Sequence, residues 1–367
     1  MNYSYRTFFQ KLYQKEGRQF AFAAENVSQS LVWQDEFREA LKEKLGLGRL
    51  ELLAGQKDIR KTEFLGEWAE DDYVRRKYRM ETLPDVWMPF WVLIPEKIKG
   101  AAADYCDAKA MIAIPAHGAN KNTVCGIAEN PEEEKKIREC PAECYGLEFV
   151  KRGYLVFCPD PPGYGERREP LPAEDQVFTG RQERSPLECS CKDLAQTAEA
   201  FDLSLTALEI WDLMRLVDFV CEFDGVKHQG ESAVIGCAGF SGGGQYAMWL
   251  AALDLRLSLA VVSGYVHGYP DSLLECHLCP CNYAPGLWKL GDISDICSLI
   301  APRPLFVENG IGDVENGPCG ICGPIRQVEK IREAYEMFGR SDRLEHFMPE
   351  GPHRWYGGCY GFVDAWL

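Results

Sequence analysis

Ser241 stands in Gly239-Phe240-Ser241-Gly242-Gly243, between a strand-type apolar run from Ser232 to Ala238 and a helix-type run from Gln245 to Leu255. A serine hydroxyl is a weak nucleophile until a turn lifts it clear of the backbone and a base takes its proton. G-x-S-x-G between a strand and a helix supplies that turn, because glycines on both sides let the two elements cross closely. The same turn sets the Gly242 N–H at a helix N-terminus, where it can meet a developing negative charge. His353, in Pro349-Glu350-Gly351-Pro352-His353, is the expected base, and Asp313, in Gly310-Ile311-Gly312-Asp313, the expected carboxylate that orients it. The chemistry such a set performs is attack on a carbonyl carbon.

The elements around these residues are laid out to bring them together. Pro304-Leu305-Phe306-Val307 reads as a buried strand, so Asp313 falls on the loop leaving it. Glu308 at the strand end and Glu315 beyond Asp313 are the competing carboxylates. A helix is expected from Pro324 to Phe338, with Ile325, Val328, Ile331 and Tyr335 spaced three or four apart, and then a strand from Leu344 to Met348. His353 thus follows the last strand and can reach back over the serine. His228, His267 and His277 precede the acid, and His346 lies within a strand.

Upstream, Ala108 to Pro115 reads as another buried strand leading into Ala116-His117-Gly118-Ala119. A His-Gly pair leaving such a strand offers a second oxyanion donor, the N–H of Ala119 or else Gly118, with His117 orienting the turn. His117 and His277 are the expected substrate-facing groups, and Glu308 is expected either to face the substrate or to support the site from behind.

The chain resembles bacterial α/β-hydrolases of the dienelactone hydrolase and acetyl xylan esterase-like group from about Arg75 onward. The resemblance rests on Trp87 to Pro95, His117-Gly118, Arg152-Gly153-Tyr154, Asp160, Gly163 to Arg167 and Ser204 to Arg215. It continues through Gly239 to Gly243, Ala301 to Pro304, Asp313 and His353. It implies an α/β fold with a mostly parallel sheet, helices on both faces, and a serine esterase without cofactor. The small-molecule ester substrate it implies is often an acetyl ester of a sugar. A peptidase or amidase on the same fold, or a binding protein with a vestigial elbow, are the rival readings. Residues 1–70 are expected to form a helical extension packed on a catalytic domain of 71–367. Within the extension, Phe8, Phe9, Leu12 and Tyr13 mark one apolar face, and Phe37, Leu41 and Leu45 another that ends at Gly46 and Gly48. The polar stretch 167–197 is the candidate lid or substrate wall.

The net charge of −16, from 40 basic and 56 acidic residues, disfavours nucleic acid and anionic membranes as partners. No apolar run reaches the roughly 18 residues of a membrane span. The first residues lack a basic-then-apolar signal pattern, so a cytoplasmic location is expected. A homo-oligomer is compatible with this composition. Sixteen cysteines then read as reduced thiols. Cys276-His277-Leu278-Cys279-Pro280-Cys281 and Cys319-Gly320-Ile321-Cys322 carry ligand types for zinc, but the first is too tightly spaced for all its groups to reach one ion. These clusters are expected to be structural or pocket-lining, with no metal. Cys158, Cys221 and Cys237 lie in apolar segments and read as core fillers.

Overall fold

The computed structural model describes residues 3–55, 61–96, 108–276 and 278–367. Apolar segments pair into one nine-stranded sheet: β1 (Thr62–Ala69), β2 (Tyr73–Leu83), β3 (Val86–Pro95), β4 (Ala110–Ile114), β5 (Leu155–Pro159), β6 (Ile235–Phe240), β7 (Leu257–Ser263), β8 (Leu305–Glu308) and β9 (Leu344–Phe347). The spatial order is β1-β2-β3-β5-β4-β6-β7-β8-β9. The first three strands form an antiparallel meander, with β3 antiparallel to β5. From β5 to β9 every pair is parallel. This is the α/β arrangement expected from the sequence, since near-continuous apolar strands must be covered on both faces.

Alternation within a strand divides the core. Ala110, Ile112 and Ile114 of β4 pack in one buried cluster, whereas Met111 and Ala113 pack in the cluster on the opposite face. The helices Gly242–Leu253 and Leu205–Glu222 supply the first cluster, and Tyr145–Lys151 and Tyr360–Trp366 the second.

At the N-terminus the helix Val27–Leu45 buries Phe37, Leu41 and Leu45 and stops at left-handed Gly46. Its Arg38 donates to the carbonyls of Ala252 and Leu299, and Gln34 Nε2 donates to Ser298 and Ala301, so this helix closes the C-terminal end of Gly242–Leu253. The earlier helix, Arg6–Glu16, buries none of its residues, and Phe8 and Phe9 are exposed. Of its expected apolar face, Tyr13 packs against the core, with its ring beside Tyr269 and Trp288, whereas Phe8 and Phe9 do not. β1 begins at Thr62, so the stretch read as helical extension already contains a strand of the sheet. The polar stretch 167–197 holds a short helix, Ala173–Thr179, and the start of another, Cys191–Ala200. Among the described residues no helix is long and apolar enough to cross a membrane.

Candidate active site

β6 ends at Phe240 and the helix begins at Gly242, leaving Ser241 alone to turn the chain, with φ 53° and ψ −120°. A non-glycine residue in this region is strained and persists only where its surroundings fix it. Ser241 N–H donates to Ser263 O at 2.9 Å, tying the turn to the end of β7. The flanking glycines are required by contact: a Cβ on Gly239 would stand 2.1 Å from Gly243 O, and one on Gly243 would stand 2.1 Å from Ile114 O. Strand, helix and β4 therefore meet without side chains between them. The Gly242 N–H, in the first helical turn, has no partner inside the helix.

Asp313 and His353 leave the neighbouring strands β8 and β9. Their loops are stitched by Ile311 N–H to Pro349 O and Gly312 N–H to Gly351 O, both 2.9 Å. His353 Nδ1 lies 2.6 Å from Asp313 Oδ2, and Asp313 is 5% exposed. The other carboxylate oxygen, Oδ1, accepts the Glu315 N–H at 2.8 Å. The imidazole lies against Phe240, with ring centroids 4.6 Å apart. Its Nε2 is buried without a hydrogen-bond partner and lies 3.5 Å from Glu315 Oε2. Burial pulls the His353 pKa down, but the Asp313 hydrogen bond and the charges of Glu315 and Asp313 outweigh it and leave the group above its ordinary 6.5. Glu315 itself is raised by burial, with His353 opposing.

Ser241, Gly242, His353, Glu315, His117 and Asn282 line one cavity of about 410 Å³, together with Tyr265, Cys276 and Cys279. The lining does not include Glu308. Its carboxylate accepts Ser263 Oγ–H at 2.7 Å, Tyr356 N–H at 3.0 Å and Gly358 N–H at 3.1 Å, tying β7, β8 and the last loop together. Of its two expected roles, Glu308 thus takes the supporting one, as a buried acceptor behind the site, and not the substrate-facing one. His277 lies outside the described residues. The turn after β4 also differs from expectation. Ala119 N–H closes onto Ala116 O at 3.1 Å around left-handed Gly118, so Ala119 is not free to donate. The Gly118 N–H points to Cys189 Sγ at 3.4 Å.

Sequence reading missed His267. It is fully buried, senses Asp313 and His353 by charge, and is lowered to about 4 chiefly by burial, so it stays neutral beside the pair. Its position before the acid in the chain hid this, since only the sheet order brings the turn at Gly264 against His353.

A mostly parallel sheet, a strained elbow serine and a carboxylate–histidine pair on the loops after β8 and β9 have the arrangement of an α/β-hydrolase fold. A model of the Abhydrolase family matches residues 3–180, about half of the chain. The chain is 29% identical over 171 residues to YtaP of Bacillus subtilis (strain 168), named as a candidate hydrolase; the match covers 45% of this chain and 49% of that one. The chain thus spans about half the length of this curated relative. A structure from Bacteroides fragilis NCTC 9343, named as a candidate acetyl xylan esterase, superposes with TM-score 0.74 at 18% identity, over 95% of this chain and 83% of that one. A glucuronoyl esterase from Solibacter usitatus superposes with TM-score 0.61 at 14% identity, over 96% and 95%. These likenesses at low identity concern the fold.

Proposed function

We propose that this protein is a serine esterase acting on small carboxylic esters, with Ser241 as nucleophile, His353 as general base and Asp313 as its orienting carboxylate. The observation that carries the reading is the 2.6 Å His353–Asp313 contact, with the opposite ring nitrogen unpartnered beside the cavity that Ser241 lines. Asp313 holds the proton on Nδ1, which leaves the Nε2 lone pair to take the Ser241 hydroxyl proton as Oγ attacks the ester carbonyl carbon. The tetrahedral oxyanion accepts the Gly242 N–H, and the second main-chain donor is the Gly118 N–H of the turn after β4 on giving up its contact with Cys189 Sγ. His353 then returns the proton to the leaving alcohol, giving an acyl-serine. Water, deprotonated by the same Nε2, releases the acid.

The cavity argues for a short acyl group on a hydroxyl-bearing alcohol. Its volume suits a small ligand, Asn282 and Glu315 offer polar contacts to hydroxyls, and the Glu315 carboxylate opposes an anionic substrate. The acetyl xylan esterase named among the structural neighbours supports an acetylated sugar as the substrate class. The test is a panel of p-nitrophenyl acyl esters, acetylated xylo-oligosaccharides and aminoacyl p-nitroanilides. Acetyl release with little anilide cleavage is expected; cleavage of anilides in preference to esters would replace this reading with an amidase.

A further inference from the structure

His117 and Cys279 of the same cavity's wall belong to a second set of groups that continues behind it. His117, Cys191, Cys279 and Cys281 each offer one ligand atom, and all four atoms lie within 4.8 Å of one another. Cys281 Sγ is 3.3 Å from His117 Nε2, and Cys191 Sγ is 3.4 Å from Cys279 Sγ. Tetrahedral zinc, with bonds of about 2.3 Å to sulfur and about 2.0 Å to nitrogen, sets ligand atoms roughly 3.5 to 3.8 Å apart. The set therefore needs only small shifts to close around one ion.

We propose that His117, Cys191, Cys279 and Cys281 form a structural Cys3His zinc site. The donor set is soft and closed, with four protein ligands and no position left for water, which is the pattern of a structural and not a catalytic ion. The surroundings suit thiolates. Asn282 Nδ2–H faces Cys281 Sγ at 3.6 Å and also donates to Cys279 O at 2.9 Å, holding the Cys279-Pro280-Cys281 turn. Thr206 Oγ–H donates to Cys281 O at 2.8 Å, fixing that turn to a core helix. Tyr164 packs in one buried cluster with Cys191 and Cys281, and its Oη has no hydrogen-bond partner. Such outer contacts orient and tune metal ligands. On binding, the three thiols become thiolates and release three protons to solvent, while the imidazole binds neutral. The ion joins three separate stretches: the turn after β4, the end of the polar segment at Cys191, and the 279–281 turn. This departs from the expectation of metal-free cysteines, which weighed the 276–281 stretch with Cys319 and Cys322 and not with His117 and Cys191. Cys319 and Cys322 are exposed and stand outside the set.

The site is tested independently of ester hydrolysis. Protein purified under reducing conditions without chelators is expected to carry about one zinc per chain by elemental analysis, in the parent and in Ser241→Ala alike. Cobalt exchanged into the apoprotein should give the thiolate charge-transfer bands and intense visible absorption of a tetrahedral site. Cys279→Ser should lose most of the zinc and lower Tm by roughly 5 °C or more, whereas the double variant Cys319→Ser/Cys322→Ser should keep both. Zinc far below stoichiometry with no cobalt–thiolate spectrum would overturn the proposal, as would a Cys191–Cys279 disulfide found in the unreduced protein by mass spectrometry. Zinc lost from the Cys319/Cys322 variant and kept in Cys279→Ser would also overturn it.

Discussion

Asp313→Asn is the substitution whose outcome the hydrogen bonds fix most closely. Oδ1 of Asp313 accepts the Glu315 N–H at 2.8 Å, while Oδ2 faces His353 Nδ1 at 2.6 Å. In asparagine only one of these positions can be an acceptor. The main-chain N–H of Glu315 cannot change sign, so the amide oxygen takes the Oδ1 position and the NH2 turns toward His353. That NH2 donates to Nδ1 and drives the imidazole proton to Nε2, the nitrogen needed to deprotonate Ser241. The buried contact excludes water that could restore the other tautomer cheaply. The expected loss in kcat is about 10³ to 10⁴, equivalent to roughly 4 to 5.5 kcal/mol of transition-state stabilisation. Turnover of p-nitrophenyl acetate at mildly alkaline pH measures it, with circular dichroism confirming that the variant is folded. A loss under about tenfold in folded protein would refute the tautomer argument, and a larger loss in Glu308→Gln would move the acid to Glu308.

The remaining predictions concern the carboxylates beside that pair. The His353 pKa is raised above 6.5 by Asp313 and Glu315, so activity, which needs the neutral ring, should rise with pH along an acid limb above that ordinary value. Glu315→Gln removes one of the charges raising it, so the limb should move to lower pH, read from kcat/KM across the neutral range; a shift to higher pH would contradict the contact. Glu308→Gln replaces one of two accepting oxygens with a donor facing Ser263, Tyr356 or Gly358. It should therefore cost about 1 to 3 kcal/mol in denaturant unfolding, with a smaller effect on the turnover of folded enzyme than Asp313→Asn has.

Local pattern carried much of the fold. Continuous apolar runs at β4, β6 and β8, each followed by a glycine-containing turn, mark buried parallel strands whose ends carry the chemistry. What pattern could not carry was the partner of each face. Phe8, Phe9, Leu12 and Tyr13 mark an apolar face, yet periodicity names a face without naming what covers it, and here Tyr13 packs on the core while Phe8 and Phe9 stay exposed. The composition of 167–197, polar and proline-containing, hid two helical segments. Ala119 and Gly118 are neighbours in sequence, and only the turn geometry shows that one N–H closes onto Ala116 O and the other onto Cys189 Sγ. The His–Cys cluster was illegible for a topological reason. Its ligands at 117, 191, 279 and 281 come from stretches that meet only because β4 lies beside β6 and the later loops cross over both.

The central claim is that Ser241 is the reactive nucleophile of this cavity, and fluorophosphonate labelling followed by peptide mapping tests it most directly. The account predicts a single phosphonylated peptide containing Ser241, no label in Ser241→Ala, and a fall in turnover of about 10⁴ to 10⁶ in that variant. Equal labelling of the parent and of Ser241→Ala, or a modified residue elsewhere in the chain, would contradict it.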